Sequence, residues 1–265
     1  MTKVTKVPKV KFLKNFRSLS TFTMAYCKKE IRRLVGKAIH HYRLIQDNDR
    51  ILVGVSGGKD SLSLLRLLHE RSKRVPVHYE LLAVYIDLGF SSGRTEILKD
   101  FFETTGLPYH IELTDIGRRA NSSENRKNPC FLCSWERRKH LFDLAHRFKC
   151  NKIALGHHKD DIIETLLLNI FYSAEISTML PLQTLFKGKI TLIRPLALLE
   201  EKKIERFARE VGLPFGASGC PVSGKTKRKE VKEIIEALEK KNRRVKGNIF
   251  RSLSNIKLDY MLWKK

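Results

Sequence analysis

The chain has 265 residues, 42% of them hydrophobic, enough for one large domain with a proper core. No run of about 18 apolar residues occurs, which excludes a membrane-spanning helix. Lys and Arg number 52 against 28 Asp and Glu, a net charge of +24, and such an excess points to a polyanion, because every phosphate a protein neutralises releases counterions. Five cysteines, an odd number, with no secretory signal, point to the cytoplasm and to metal or redox chemistry rather than disulfides.

Residues 1–27 form a basic arm: the first 29 residues contain no acid. From 27 to 42 the pattern is helical, with Ile31, Leu34, Val35, Ala38 and Ile39 on one face. A buried strand over 51–55 (ILVGV) runs into SGGKDS and a helix over 62–70. The next strand is 80–87 (ELLAVYID), then a helix over 97–105 closed by Gly106, and a short strand over 109–113. Residues 116–128 are polar and basic and read as a loop, and 133–148 as a helix. A strand over 152–156 (KIALG) precedes a helix over 160–171. A short strand over 191–194, a helix over 200–211 closed by Gly212, and a charged helix over 229–241 complete the chain. In that last helix Ile234, Ile235 and Leu238 are expected to pack inward. Strands alternating with helices predict an α/β, Rossmann-like fold: a mainly parallel sheet with helices on both faces and basic terminal extensions.

In open α/β sheets ligands bind beyond the carboxyl ends of the strands. SGGKDS lies there, between strand and helix. Gly57 and Gly58 let the backbone approach an anion, and the first N–H groups and dipole of the following helix favour it. Ser56 and Ser61 add hydroxyls, Lys59 a cation, and Asp60 a candidate Mg²⁺ ligand. The P-loop pattern is not met: Val53 stands at its first Gly and Asp60 at its Ser or Thr. The segment LGHHKDD places Gly156, Asp160 and Asp161 on the same rim; helix capping explains the aspartates, and Mg²⁺ binding or proton handling is the alternative. His157 and His158 read as loop-shaping or base-contacting. Asp87 ends its strand near the expected nucleotide, and backbone from Ala83 to Tyr85 is a candidate adenine contact.

Cys130-Phe-Leu-Cys133 is compatible with half a zinc ribbon, a dithiol or part of an iron–sulfur site. With Cys220, in ASGCPVSGKTKR, it supplies three ligands, which suits a 4Fe–4S cluster with one open iron; Cys150 reads as a packed thiol and Cys27 has no assigned role.

SGGKDS resembles the pyrophosphate loop of the N-type ATP pyrophosphatases, also called PP-loop or adenine nucleotide alpha hydrolase-like proteins, in which adenylation of the substrate releases pyrophosphate. With P-C-x-x-C and the Arg pair behind it, LGHHxDDIxxTLxLNxFY, IRPL and the IERFA helix in order, residues from 27 onward resemble the TtcA-type tRNA thiolation enzymes, relatives of the TtuA type. That resemblance implies three things. A domain over 28–219 binds ATP and Mg²⁺ through Ser56, Gly57, Gly58, Lys59, Asp60, Ser61, Ala83, Asp87, Gly156 and Asp161. Cys130, Cys133 and Cys220 hold a 4Fe–4S cluster. A basic helical segment over 220–265 completes the cluster and the tRNA surface. Asp161, Arg137 and Lys59 are the implied catalytic residues; related enzymes use Lys at the Arg137 place. The implied reaction is adenylation of the C2 oxygen of a pyrimidine, cytidine 32 by resemblance, then sulfur transfer through the cluster. Partners are tRNA and a sulfur donor, sulfide or sulfur from a cysteine desulfurase; no membrane partner is implied, and a homodimer is allowed.

Where TtcA-type enzymes often carry a second Cys-x-x-Cys, Ser223 stands here, which removes a fourth cysteine but keeps three. Paired zinc-finger cysteines of the TtuA type are absent. A lysidine synthetase shares the loop and tRNA but needs none of the cysteines. The motifs are also compatible with a 2-thiouridine enzyme or with a non-catalytic iron–sulfur RNA-binding regulator. Three basic stretches, the arm, 118–127 and 225–246, form a candidate phosphate track; the last carries ten Lys or Arg against four Glu. Phe131, Trp135, Phe171 and Tyr172 are candidates to stack an extruded base.

Overall fold

The computed structural model describes residues 28–90, 93–125, 128–216, 219–220 and 227–262. The basic arm, Cys27, part of the 118–127 stretch and the start of the 225–246 stretch lie outside the described residues. Six strands form one sheet in the order β3-β2-β1-β4-β6-β5: β1 (Asp49–Val55), β2 (Tyr79–Asp87), β3 (Tyr109–Leu113), β4 (Lys152–Ala154), β5 (Leu182–Leu185) and β6 (Ile190–Ile193). All neighbours are parallel except β5 and β6, which are antiparallel.

Strand alternation assigns each face. Ile51, Val53 and Val55 of β1 and Ala83 and Tyr85 of β2 join a core with α1 (28–41), α2 (Lys59–Ser72), α3 (Arg94–Thr105) and α7 (Glu201–Glu210). Leu52 of β1 and Val84 and Ile86 of β2 join Ile116 of α4 (Ile116–Ala120) and Leu144 and Ala145 of α5 (Pro129–Arg147) on the other face. Each fully buried Leu or Ile contributes about 1.5–3 kcal/mol to this two-sided burial, which is why central strands here are apolar throughout. In α1 the predicted face is the observed one, with Ile31, Val35, Ala38 and Ile39 buried. A small third core joins Ile163 of α6 (Lys159–Ser173) to Val231 and Ile235 of α8 (Lys227–Lys241), with Ile249 and Phe250 of α9 (Val245–Ser252) against it.

Four expectations change. The segment expected to be a loop after β3 contains α4. Strand β5 and helix α9 are additional. Helix α5 starts at Pro129 rather than 133, because Asn128 caps it, its side chain accepting from the N–H groups of Cys130 and Phe131. On α8 only Val231 and Ile235 turn inward; Ile234 and Leu238 are exposed.

Candidate nucleotide and cysteine cleft

The strand order reverses between β1 and β4, and at such a switch point a crevice opens beyond the carboxyl ends of the strands. The loop after β1 and the segment after β4 meet there. Gly156 packs so closely on the first turn of α2 that a Cβ on it would lie 2.9 Å from the Ser61 nitrogen. Gly57 has φ +77°, a left-handed conformation natural to glycine. The Ser61 hydroxyl closes the loop: it donates to the Gly58 carbonyl at 3.0 Å and accepts from the Ser56 N–H at 3.0 Å. Gly58 is the N-cap of α2 and supplies no side-chain cap, so the first N–H groups of this helix stay available to an anion.

The neighbouring helix start is closed instead. At α6 the His158 side chain accepts from the Asp161 N–H at 3.4 Å, and Asp161 Oδ2 accepts from the His158 N–H at 2.9 Å, a reciprocal capping box. The capping explanation of Asp161 therefore holds, and Asp161 also lines the cavity. Its Oδ1 accepts from Arg228 of α8 at 3.3 Å, and the same guanidinium bonds Glu164 at 3.0 Å. Asp160 is turned from the cavity: it accepts from the Glu201 N–H at 2.8 Å and pairs with Lys246 at 2.9 Å.

Two cavities adjoin. One, of about 280 Å³, is lined by Ser56, Asp60, Ser61, Arg137, Gly156, His157 and Asp161 among others. The second, of about 460 Å³, is lined by Gly58, Asp87, Cys130, Cys133, Arg137 and Cys220 among others. Val55, Ser56, Ile86, Ser134 and Arg137 belong to both walls, so the two form one cleft. The three cysteines are free thiols. Cys130 and Cys133 sit three apart on α5, on one helix face. Burial pushes the Cys133 thiol up, while Arg137 opposes that shift. Among the described residues no three Cys, His, Asp or Glu side chains close around a single metal ion. Three thiols spread over one wall of this volume fit a larger group. Cys150 is a packed thiol, as expected.

Asp60 Oδ1 is buried with no hydrogen-bond partner. Burial pushes this carboxyl up, although Lys59 and His158 oppose it. An orphaned carboxylate oxygen facing a phosphate loop fits a divalent cation. Lys59 is held aside: its ammonium bonds Glu201 at 2.9 Å and Asp60 at 3.3 Å. Burial pushes the Glu201 carboxyl up, but Lys232 and Lys59 outweigh it and bring it down to about 2. Asp87 holds a turn, Oδ1 accepting from the Gly89 N–H at 2.7 Å and Oδ2 from the Thr95 hydroxyl. Ala83 is not brought to the cleft. It is fully buried and its N–H bonds the Pro108 carbonyl at 2.9 Å; of the same candidate stretch Val84 lines the first cavity and Tyr85 the second. Phe131, Trp135, Phe171 and Tyr172 are all exposed.

Sequence reasoning passed over Arg94. Its guanidinium is buried, bonds the Gly57 carbonyl, and bonds the Pro214 carbonyl at 2.5 Å, pinning the loop to the segment after α7. An Arg two residues past Ser92 in a charged helix carries no sequence signal for this. No helix among the described residues is long and apolar enough to cross a membrane.

A family model described as a PP-loop domain matches residues 26–255. The tRNA-cytidine(32) 2-sulfurtransferase of Geobacter sulfurreducens is 41% identical over 242 residues, covering 88% of this chain and 92% of that protein. The protein of the same name from Pelobacter propionicus is 40% identical over 242 residues, covering 88% of each. Among solved structures, the U34-tRNA thiolase NcsA from Methanococcus maripaludis with its 4Fe–4S cluster matches with a TM-score of 0.74 and 28% identity, over 90% of this chain and 80% of that one. A loop built to receive an anion, on a sheet whose strand order reverses beside it, is thus matched over nearly the whole described chain: this protein belongs to the PP-loop family.

Proposed function

We propose that the chain is an ATP-dependent tRNA thiolase that replaces the C2 oxygen of cytidine 32 with sulfur. One observation carries this: the phosphate-loop cavity and the three-thiol cavity share a wall and form one cleft. Adenylation of the C2 oxygen and sulfur attack at C2 must follow one another on the same base, and a shared wall lets one bound base meet both. The names of the relatives at 40–41% identity select the base.

Ser56, Gly57, Gly58, Lys59 and Ser61 would hold the β- and γ-phosphates at the open end of α2, with Mg²⁺ on Asp60. On arrival of phosphate, Lys59 would exchange Glu201 for it. The base oxygen attacks the α-phosphorus and pyrophosphate leaves. A sulfur nucleophile then forms a bond to C2, and AMP leaves with the original oxygen. Arg137 lies in both walls, so its charge would serve the α-phosphate oxygens as negative charge develops. Asp161, fixed by His158 and Arg228, would help orient the nucleotide. Cys130, Cys133 and Cys220 would hold a 4Fe–4S cluster, which when bound supplies the place from which sulfur is delivered.

The exposed aromatics of α5 and α6 and the basic segment from 220 onward supply the tRNA surface in this reading. The sulfur comes from sulfide or a cysteine desulfurase, in the cytoplasm. Mass spectrometry of tRNA nucleosides from a strain lacking the protein tests the reaction. Loss of 2-thiocytidine is the expected result. Loss of 2-thiouridine instead would transfer the reading to the NcsA-like branch, and retention of every thionucleoside would refute thiolation.

A further inference from the structure

Arg194 directly follows β6 and is only 5% exposed. Its Nε donates to His157 Nδ1 at 3.2 Å, and a terminal nitrogen donates to the Leu180 carbonyl at 2.5 Å. Its backbone N–H donates to the Pro181 carbonyl at 2.8 Å, so the side chain starts from a fixed point. A guanidinium has five N–H donors, no acceptor, and keeps its proton in proteins. Nδ1 of His157 must therefore be the acceptor and carry no proton. A neutral imidazole with a bare Nδ1 has its hydrogen on Nε2.

His157 lines the 280 Å³ cavity together with Ser56, Asp60, Ser61, Arg137 and Asp161. Its Nε2 bonds no protein group among the described residues and is not enclosed. The charged groups around the ring come from every element packed on it. Burial disfavours the imidazolium most; Asp161 of α6 favours it, and Arg194, Arg228 of α8 and His158 disfavour it, leaving the group at about 4. Arg138 of α5 is the further cation facing Arg194.

We propose that Arg194 is a positioning residue that locks His157 in its Nε2–H tautomer, so that His157 donates a neutral hydrogen bond to a phosphate oxygen of the nucleotide in this cavity. The proposal rests on the reading that the cavity takes ATP. Neutrality has a use here. An imidazolium beside Asp161 would pair with that carboxylate and be lost to the ligand, whereas a neutral ring pinned from behind keeps its one N–H for the phosphate. This is a fixed dipole aimed where negative charge accumulates, and removing one such donor slows a reaction by about 10²–10³-fold.

Nitrogen NMR on the full chain labelled at histidine, assigned by His157→Gln, tests it. Expected is an unprotonated Nδ1 and a protonated Nε2 from pH 6 to 8, with the Nε2 signal moving when a non-hydrolysable ATP analogue is added. In Arg194→Met the ring should mix tautomers, and Arg194→Lys, still a donor only, should restore the single tautomer in part. Pyrophosphate release should fall about 10²-fold in His157→Phe, and less in His157→Gln, which keeps an N–H near the same place. A protonated Nδ1 in the wild type, or an Nε2 signal indifferent to the nucleotide, overturns the proposal. If the signals behave as expected but the chain thiolates no tRNA, the thiolase reading falls and this inference stands. Thiolation with a protonated Nδ1 sinks only the inference.

Discussion

Gly156→Ala is the sharpest probe of the cleft. A Cβ there would stand 2.9 Å from the Ser61 nitrogen and 3.0 Å from the Asp60 carbonyl carbon. Both atoms are backbone in the first turn of α2 and cannot rotate away. Ordinary contact begins near about 3.5 Å, so strand end and helix start must part by roughly half an ångström. Overpacking of this size costs about 2 kcal/mol. The displaced turn is the phosphate cradle itself. A misplacement of about 1 Å costs about 10²-fold, so half that predicts roughly tenfold weaker ATP binding. The control is Gly212→Ala, at φ +65° with no heavy atom within 4 Å of the new Cβ. It should cost about 1 kcal/mol through the left-handed backbone and leave ATP affinity alone. Urea unfolding and titration calorimetry read both quantities. Wild-type ATP affinity in Gly156→Ala, or an equal loss in Gly212→Ala, would refute the close-approach argument.

Four further outcomes follow from the same geometry. Serine at Cys130, Cys133 or Cys220 should abolish iron retention after anaerobic reconstitution and lower thiolation more than about 100-fold, whereas Cys150→Ala should keep both; iron analysis decides. Arg94→Met strips its donors from two carbonyls, at Gly57 and Pro214, and should cost about 3 kcal/mol by urea unfolding while weakening ATP binding. Asp60→Asn should leave the nucleotide-free protein about as stable, since burial already disfavours that charge against its Lys59 pairing, yet abolish the gain in ATP affinity on adding Mg²⁺. Glu201 has a folded value of about 2 against an ordinary 4.5, so its contribution is full above the unfolded value and is lost as pH falls from about 5 to about 2. The stability gap between wild type and Glu201→Gln should narrow across that window, and a gap that widens on acidification would contradict the Lys59–Glu201–Lys232 linkage.

What the sequence made legible was local. SGGKDS and LGHHKDD announce themselves because turn glycines, hydroxyls and a helix start must be contiguous to work, and strand periodicity then places both on one rim. Of the stretch from Ala83 to Tyr85, Val84 and Tyr85 line the cleft, while Ala83, one residue earlier on the strand, stays in the core. Strand β5 was missed because LQTL is a four-residue edge strand with no distinctive alternation. The inward set on α8 was misassigned: Val231 and Ile235, four apart, make its buried apolar contact, while Ile234 and Leu238 are exposed. Arg94 and Arg228 were not assignable, being two arginines among many, and Arg194 stood in the IRPL motif without a partner to give it a role. Each acquires its role from a partner 37 to 120 positions distant, as Gly57 and Pro214 are from Arg94.

The charge of the C-terminal segment serves two ends, and separating them explains how ATP can enter at all. Asp60, Asp160, Asp161, Glu164 and Glu201 crowd the starts of α2, α6 and α7. Left bare, such a group of carboxylates would repel a nucleotide carrying several negative charges; at about 4 Å a like-charge pair costs about 4 kcal/mol near a protein surface. Helices α8 and α9 answer from across the third core: Arg228 reaches Asp161 and Glu164, Lys232 reaches Glu201, and Lys246 reaches Asp160. With Lys59 on Asp60 and Glu201, every one of these acids has a cation against it. These cations are spent on the acids and are not free for RNA. Lys240 and Lys241 of α8 and Arg251 of α9 are exposed and are left to meet phosphate. A segment that neutralises the nucleotide rim on one side and presents positive charge on the other ties the ATP site to the polyanion surface through a single pair of helices. Truncation before α8 should therefore weaken ATP binding as well as tRNA binding.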